Sequence, residues 1–213
     1  MREYVVDLIA HEVGHTLGLR HNFRASTMLT LADLHDLGKT TQLGQSGSVM
    51  DYNPIVLAGK GRPQGHFLPV TLGAYDYWAI EYAYKVIGGD ETTELAAIAS
   101  RVADPALAYS TDEDAVGTFS PRSIDPRANQ YDQSTDPIAY FRERIGIIHE
   151  LWRSMDTALP RRGEGYQILR RALARSFNEY NRGLLTSSKD IGGIYHHRDH
   201  VALTDRGGDQ SDE

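Results

Sequence analysis

The sequence predicts a mainly α protein, and three observations support this fold class. Apolar side chains recur at helical spacing along residues 2–18. Two longer segments, near residues 137–158 and 165–187, also follow a helical pattern. No segment shows a convincing alternation of apolar and polar residues, which is the pattern typical of a strand.

The predicted elements follow one another along the chain with irregular segments between them. The first helix, residues 2–18, turns His11 and His15 away from its apolar stripe. That stripe consists of Val6, Ile9, Ala10, Val13 and Leu17. Residues 19–72 are rich in Gly, Pro, Ser and Thr, and we expect only a short helix there, near Leu29–Leu37. Helices are predicted at 73–86 and 91–102, and a long acidic loop punctuated by prolines follows them.

Composition excludes several classes of function. The chain has 213 residues and a formal net charge of -7, which speaks against a nucleic-acid partner. It contains no cysteine, so disulfides, thiolate metal sites and cysteine nucleophiles are all excluded. No apolar run is long enough to form a transmembrane segment. No signal peptide is visible in the first residues, because the apolar run there is short and includes Glu3 and Asp7.

The segment "HEVGHTLGLRHN", residues 11–22, has the spacing of a metal site. His11 and His15 are four residues apart, so both can reach one ion from successive turns of a helix. Gly18 can adopt the left-handed conformation that ends a helix, which allows His21 to turn back towards the same ion. Three protein ligands leave one position free, as a catalytic zinc site requires. Glu12 is suitably placed to act as a general base in such a site.

The spacing His-Glu-x-x-His-x-x-Gly-x-x-His, followed downstream by "SVMDY", resembles the metzincin metallopeptidases. The longer strings "HEVGHTLGLRHNFRAS" and "SVMDYNP" resemble a family of large bacterial zinc-dependent metzincin-like proteins in particular. The resemblance extends to "LGAYDYWAIEY", "DPRANQYD" and "IGGIYHHRDH".

The resemblance implies a zinc-dependent endopeptidase that acts on a peptide or protein substrate. Its zinc ligands would be His11, His15 and His21, and Glu12 would be the general base for attack by a zinc-bound water. Met50 would form the Met-turn beneath the metal. Tyr52 would contact the zinc or donate to the oxyanion, although a purely packing role for it is equally compatible with the sequence. The resemblance also favours an extracytoplasmic location, either periplasmic or secreted.

Metzincins carry a twisted β-sheet before the active-site helix, whereas only ten residues precede His11 here. We therefore expect the upper β-sheet subdomain to be missing, so that an N-terminal segment of the same protein becomes a partner of this chain. We also expect little proteolysis by the chain alone and an exposed apolar face around Val6, Ile9 and Val13. The expected organisation is a zinc-binding helix, third-ligand loop and Met-turn in residues 1–72, a helical C-terminal subdomain in 73–203, and a disordered tail in 204–213.

Other interpretations remain open at the level of sequence. The site can be a non-catalytic zinc-binding scaffold or interaction module, or a thermolysin-like site whose third ligand is a downstream glutamate. The cluster "YHHRDH", which contains His196, His197 and His200, can be a second metal site, but a solvated surface is the favoured interpretation. The acidic run Asp112–Asp114, with Asp104 and Asp125 nearby, can bind calcium, but it lacks the spacing of a calcium loop and a solvated loop is favoured.

Overall fold

The structure, a computed structural model, describes residues 1–115 and 125–196. Within these ranges the protein is mainly helical and has no strand, as predicted. The α-helices of the described residues are α1 (Arg2–Thr16), α2 (Leu31–Leu34), α3 (Leu37–Leu43), α4 (Ala74–Tyr84), α5 (Glu91–Ala99), α6 (Asp112–Ala115), α7 (Pro137–Ala158) and α8 (Gln167–Ser188). Short 3-10 helices cover Ala25–Met28, Ser100–Ala103 and Pro105–Leu107.

Helix bounds agree with the sequence where the signals are local. The helix α7 begins at Pro137, and the side chain of Asp136 caps it by accepting a hydrogen bond from the Ala139 N–H at 2.8 Å. The helix α1 ends at Thr16 rather than at residue 18, because the chain already turns at Leu17 and Gly18 has a φ of 89°. The predicted disordered tail, residues 204–213, lies outside the described residues.

Two predictions between the main helices are corrected. The short helix predicted near Leu29–Leu37 is in fact two helices, α2 and α3, because the side chain of Asp36 caps a new helix by accepting from the Lys39 N–H. The acidic segment predicted as a continuous loop contains α6 and a 3-10 helix.

The C-terminal helices α7 and α8 form an antiparallel hairpin. Gly183 lies against the Phe141 ring, where an added β-carbon would meet that ring at 3.0 Å. At the other end of the pair the Trp152 indole donates to the Ser176 hydroxyl at 2.7 Å. The two helices therefore pack directly against each other.

The core of the described residues contains polar as well as apolar side chains. Leu29, Leu34 and Val56 form one buried apolar cluster. In contrast, α1 leaves much of its apolar stripe uncovered, with Val6 39%, Ile9 56% and Val13 47% exposed. The predicted apolar face on α1 is therefore confirmed. None of the described helices is both long and apolar enough to cross a membrane.

Candidate metal centre

The turn at Gly18 brings three histidines together. The Leu19 N–H donates to the Gly14 carbonyl at 3.0 Å, and the left-handed Gly18 redirects the chain after α1. His21 consequently returns to the side of the helix that carries His11 and His15. One ring nitrogen of each histidine lies within 4.8 Å of the others, so the predicted convergence is confirmed.

The other ring nitrogen of each histidine meets a hydrogen-bond acceptor. His11 Nδ1 lies 2.8 Å from the Val49 carbonyl, and His15 Nδ1 lies 3.0 Å from the Leu19 carbonyl. His21 Nδ1 lies 2.9 Å from a carboxylate oxygen of Asp112. Carbonyl and carboxylate oxygens only accept, so each Nδ1 carries the proton and each Nε2 keeps a lone pair. All three Nε2 atoms are therefore available as ligands.

The spacing of these nitrogens suits zinc. His11 Nε2 and His15 Nε2 are 3.1 Å apart. Two nitrogens bound to one zinc ion at 2.0–2.1 Å stand roughly 3.3 Å apart in a tetrahedron. Burial lowers the pKa of His11, which favours the neutral imidazole that a metal requires. The donor set therefore fits a zinc ion held by three imidazoles.

The segment Ser48–Tyr52, which we call the floor segment, packs against α1 and its histidines. Met50 is fully buried, and a β-carbon added to Gly14 would stand 2.2 Å from the Met50 sulfur. The sulfur thus occupies the space that a side chain at Gly14, between His11 and His15 on α1, would need. The expected burial of Met50 is confirmed, while its role as a Met-turn beneath a metal stays a prediction.

Asp76, on α4, fixes the same floor segment. Its carboxylate accepts from the Ser48 hydroxyl at 2.5 Å, the Val49 N–H at 2.9 Å and the Gly73 N–H at 2.8 Å. The Val49 carbonyl in turn accepts from His11. The position of His11 therefore depends on a chain of contacts that starts at α4.

The comparison with protein families agrees with this geometry. A family model described as Met-zincin matches residues 1–207. The chain belongs to the Met-zincin family. A search of curated proteins found no match, and a search of solved structures found none either.

In this Met-zincin chain, Glu12 and Tyr52 lie beside the histidines. Glu12 is exposed on α1, and its negative charge acts on both His11 and Tyr52. The Tyr52 ring packs against His11 and His21, with centroid distances of 5.5 and 4.7 Å. Partial burial raises the pKa of Tyr52, with further contributions from Tyr131, Asp112 and Glu12. Its hydroxyl therefore stays protonated at neutral pH and can act as a donor.

The acidic run, for which a solvated loop was favoured, is solvated only in part: the side chains of Asp112 and Glu113 are partly exposed, whereas Asp114 is buried. Asp114 and Asp125 are 3% and 1% exposed, and Asp112 hydrogen-bonds His21. Asp114 accepts from the Thr111 N–H at 3.0 Å, while Asp125 pairs with Arg24 and Arg127. Within the described residues, the three histidines are the only group of three or more His, Asp and Glu side chains close enough to share an ion.

The cluster "YHHRDH" is described only in part. The His196 imidazole lies 3.8 Å from the Asp114 carboxylate, and the His196 N–H donates to Asp125 at 2.9 Å. His197 and His200 lie outside the described residues.

Sequence reasoning missed Gly14, Asp76, Asp112 and Tyr131. Tyr131 adopts a left-handed φ of 61°, packs its ring 5.4 Å from that of Tyr52, and donates its N–H to the Tyr52 carbonyl. Asp76 and Asp112 act across long sequence separations, so no local motif indicates them. Of these residues, only Gly14 could have been found from the sequence. A glycine inside a helix lowers helix stability, which indicates that a neighbouring group packs closely against that position.

Proposed function

We propose that this chain carries the metal-binding part of the active site of a zinc-dependent endopeptidase. The observation that carries the proposal is the convergence of three histidine nitrogens, each with its opposite nitrogen held by an acceptor. Membership of the Met-zincin family supports the same activity. His11, His15 and His21 would hold the zinc ion, with Met50 packed beneath them.

Zinc, when bound, supplies a Lewis acid that polarises a carbonyl and lowers the pKa of water towards ~7. Glu12 takes a proton from the attacking water, whose oxygen forms a bond with the scissile carbonyl carbon. The carbon–nitrogen bond then breaks, and Glu12 passes the proton to the leaving amine. Tyr52, kept protonated by its raised pKa, donates a hydrogen bond to the developing oxyanion.

The test is a Glu12→Gln variant of the protein. Glutamine has nearly the same shape and no basic oxygen, so zinc content should be unchanged and peptide turnover should fall by roughly 10²–10⁴-fold. Zinc content is measured by elemental analysis and turnover with a mixture of quenched fluorescent peptides. Unchanged turnover in Glu12→Gln would exclude this residue as the base. If the wild-type protein binds zinc but cleaves nothing, the site is a non-catalytic scaffold instead.

A further inference from the structure

Residues 108–115, which we call the clamp segment, lie across the loop that carries His21. The Phe23 N–H donates to the Ser110 carbonyl at 2.7 Å. The Asn22 side chain accepts from the Ser110 N–H at 3.2 Å and donates to the Ala108 carbonyl at 3.0 Å. Asn22 is fully buried, so these hydrogen bonds are shielded from water. The clamp segment therefore fixes the backbone that immediately follows His21.

Two charged side chains of α6 also contact Arg20 and His21, in the loop after α1 that we call the metal loop. Arg20 makes two hydrogen bonds with the Glu113 carboxylate, at 3.2 and 2.7 Å. One residue along the loop, His21 Nδ1 lies 2.9 Å from Asp112 Oδ1. The second oxygen of Asp112 accepts from the Thr111 hydroxyl at 3.3 Å, so the carboxylate has its own support. Thus Asp112 pairs with His21, and the adjacent Glu113 pairs with the adjacent Arg20.

The partner of His21 differs in kind from those of the other two histidines. His11 and His15 lie on a helix and donate to backbone carbonyls. His21 lies on a loop and donates to a charged side chain that is 91 residues away in the sequence. A hydrogen bond to an ionised acceptor is roughly twice as strong as a neutral one. It also increases the electron donation of the imidazole to a metal and fixes the ring orientation.

We propose that Asp112 is a positioning residue for the third metal ligand: it holds His21 in the Nδ1–H tautomer and aims Nε2 at the ion. The proposal rests on the proposed function in one respect, namely that these three histidines bind zinc. Its consequence is that zinc affinity depends on a carboxylate in the C-terminal part of the chain, far from the histidine motif in the sequence.

The experiment compares zinc affinity in four forms of the chain by competition with a chromophoric chelator. Relative to the wild type, Asp112→Ala should bind zinc roughly 10–100-fold more weakly, the usual loss when such a partner of a ligand is removed. Asp112→Asn should show a smaller loss, because its amide oxygen still accepts from Nδ1. Glu113→Gln is the matched control: it changes the charge equally, one residue away, and should alter the affinity by less than about threefold because its ion pair with Arg20 is exposed.

A second readout separates positioning from general stability. The side chain of Asp112 is 42% exposed, so metal-free Asp112→Ala should melt close to metal-free Glu113→Gln. The cobalt-substituted proteins should differ, with the visible absorption bands of cobalt altered in Asp112→Ala and retained in Glu113→Gln. An affinity and a cobalt spectrum unchanged by Asp112→Ala would overturn the proposal, as would equal losses in Asp112→Ala and Glu113→Gln. If the wild type itself binds no zinc, it is the proposed function that fails.

Discussion

At the scale of single residues, Gly14 determines whether Met50 can lie beneath the histidines. A β-carbon there would stand 2.2 Å from the Met50 sulfur, so Gly14→Ala must displace the methionine. Alanine favours a helix over glycine by ~1 kcal/mol, but overpacking a buried contact costs about 1–3 kcal/mol. We expect Gly14→Ala to lower the free energy of unfolding, measured by urea denaturation.

Gly146, on α7, provides the control. A β-carbon at Gly146 has no other heavy atom within 4 Å, so Gly146→Ala should raise the free energy of unfolding by roughly 0.5–1 kcal/mol. The two substitutions are chemically identical and should have opposite signs. Equal stabilisation by both would show that Met50 does not pack against α1.

Some residues of the candidate site can be predicted from the sequence and others cannot. The convergence of His11, His15 and His21 can be predicted, because helical spacing and a turn at one glycine are local properties of the sequence. The contact of Asp112 with His21 cannot be predicted, because 91 residues separate the two in the sequence. The neighbours of Asp112 are also acidic, so the segment resembles a solvated acidic run. The roles of Glu12 and Tyr52 stay predictions until activity is measured.

At the scale of elements, α4 supports the floor of the site through Asp76. Asp76→Ala would leave the Ser48 hydroxyl and two backbone N–H groups without their acceptor in a buried position. We expect a loss of roughly 2–4 kcal/mol in the free energy of unfolding, and weaker zinc binding because Val49 also positions His11. Chemical denaturation and chelator competition measure these two effects.

Asp90→Ala is the comparison for that prediction. Asp90 caps α5 by accepting from the Thr93 N–H, but it is exposed and belongs to neither the histidine-bearing helix nor the floor segment. The Asp90→Ala substitution should lower the free energy of unfolding less than Asp76→Ala does, and it should leave zinc affinity unchanged. If the two variants bind zinc equally well, α4 does not support the metal centre.

Element boundaries were predictable where the chain itself carries the signal. Asp136 and Pro137 start α7, and the predicted range 137–158 matches the observed Pro137–Ala158. The helix α6 was not predicted, since it is a single turn that hydrogen-bonds to the metal loop. The exposed apolar face of α1 around Val6, Ile9 and Val13 was also predicted from the sequence, and the structure confirms it.

At the scale of the whole molecule, buried carboxyl groups make stability depend on pH. Burial raises the pKa of Asp7 to about 7 and that of Asp132 to about 6. Between the pKa of an unfolded aspartate, ~3.9, and these values, the folded state holds protons that the unfolded chain has released. Each group therefore lowers the free energy of unfolding as the pH rises through this window.

Asp7→Asn removes one of these groups without changing its size. Relative to the wild type, the variant should gain stability as the pH is raised from 5 towards 7, and the difference should level off above the folded pKa of Asp7, about 7. Urea denaturation of both proteins at four pH values across this range measures the difference. A difference that does not vary with pH would mean that Asp7 titrates normally in the folded protein.

The central claim is that three histidines from a helix and a loop bind one zinc ion, and calorimetric zinc titration tests it most directly. The wild-type chain should bind one ion, and His21→Ala should bind it at least about 100-fold more weakly, because this substitution removes a ligand rather than a supporting contact. His66→Ala, which removes a histidine paired with Glu3, should leave zinc binding unchanged. Equal affinity in the wild type and His21→Ala would contradict the account.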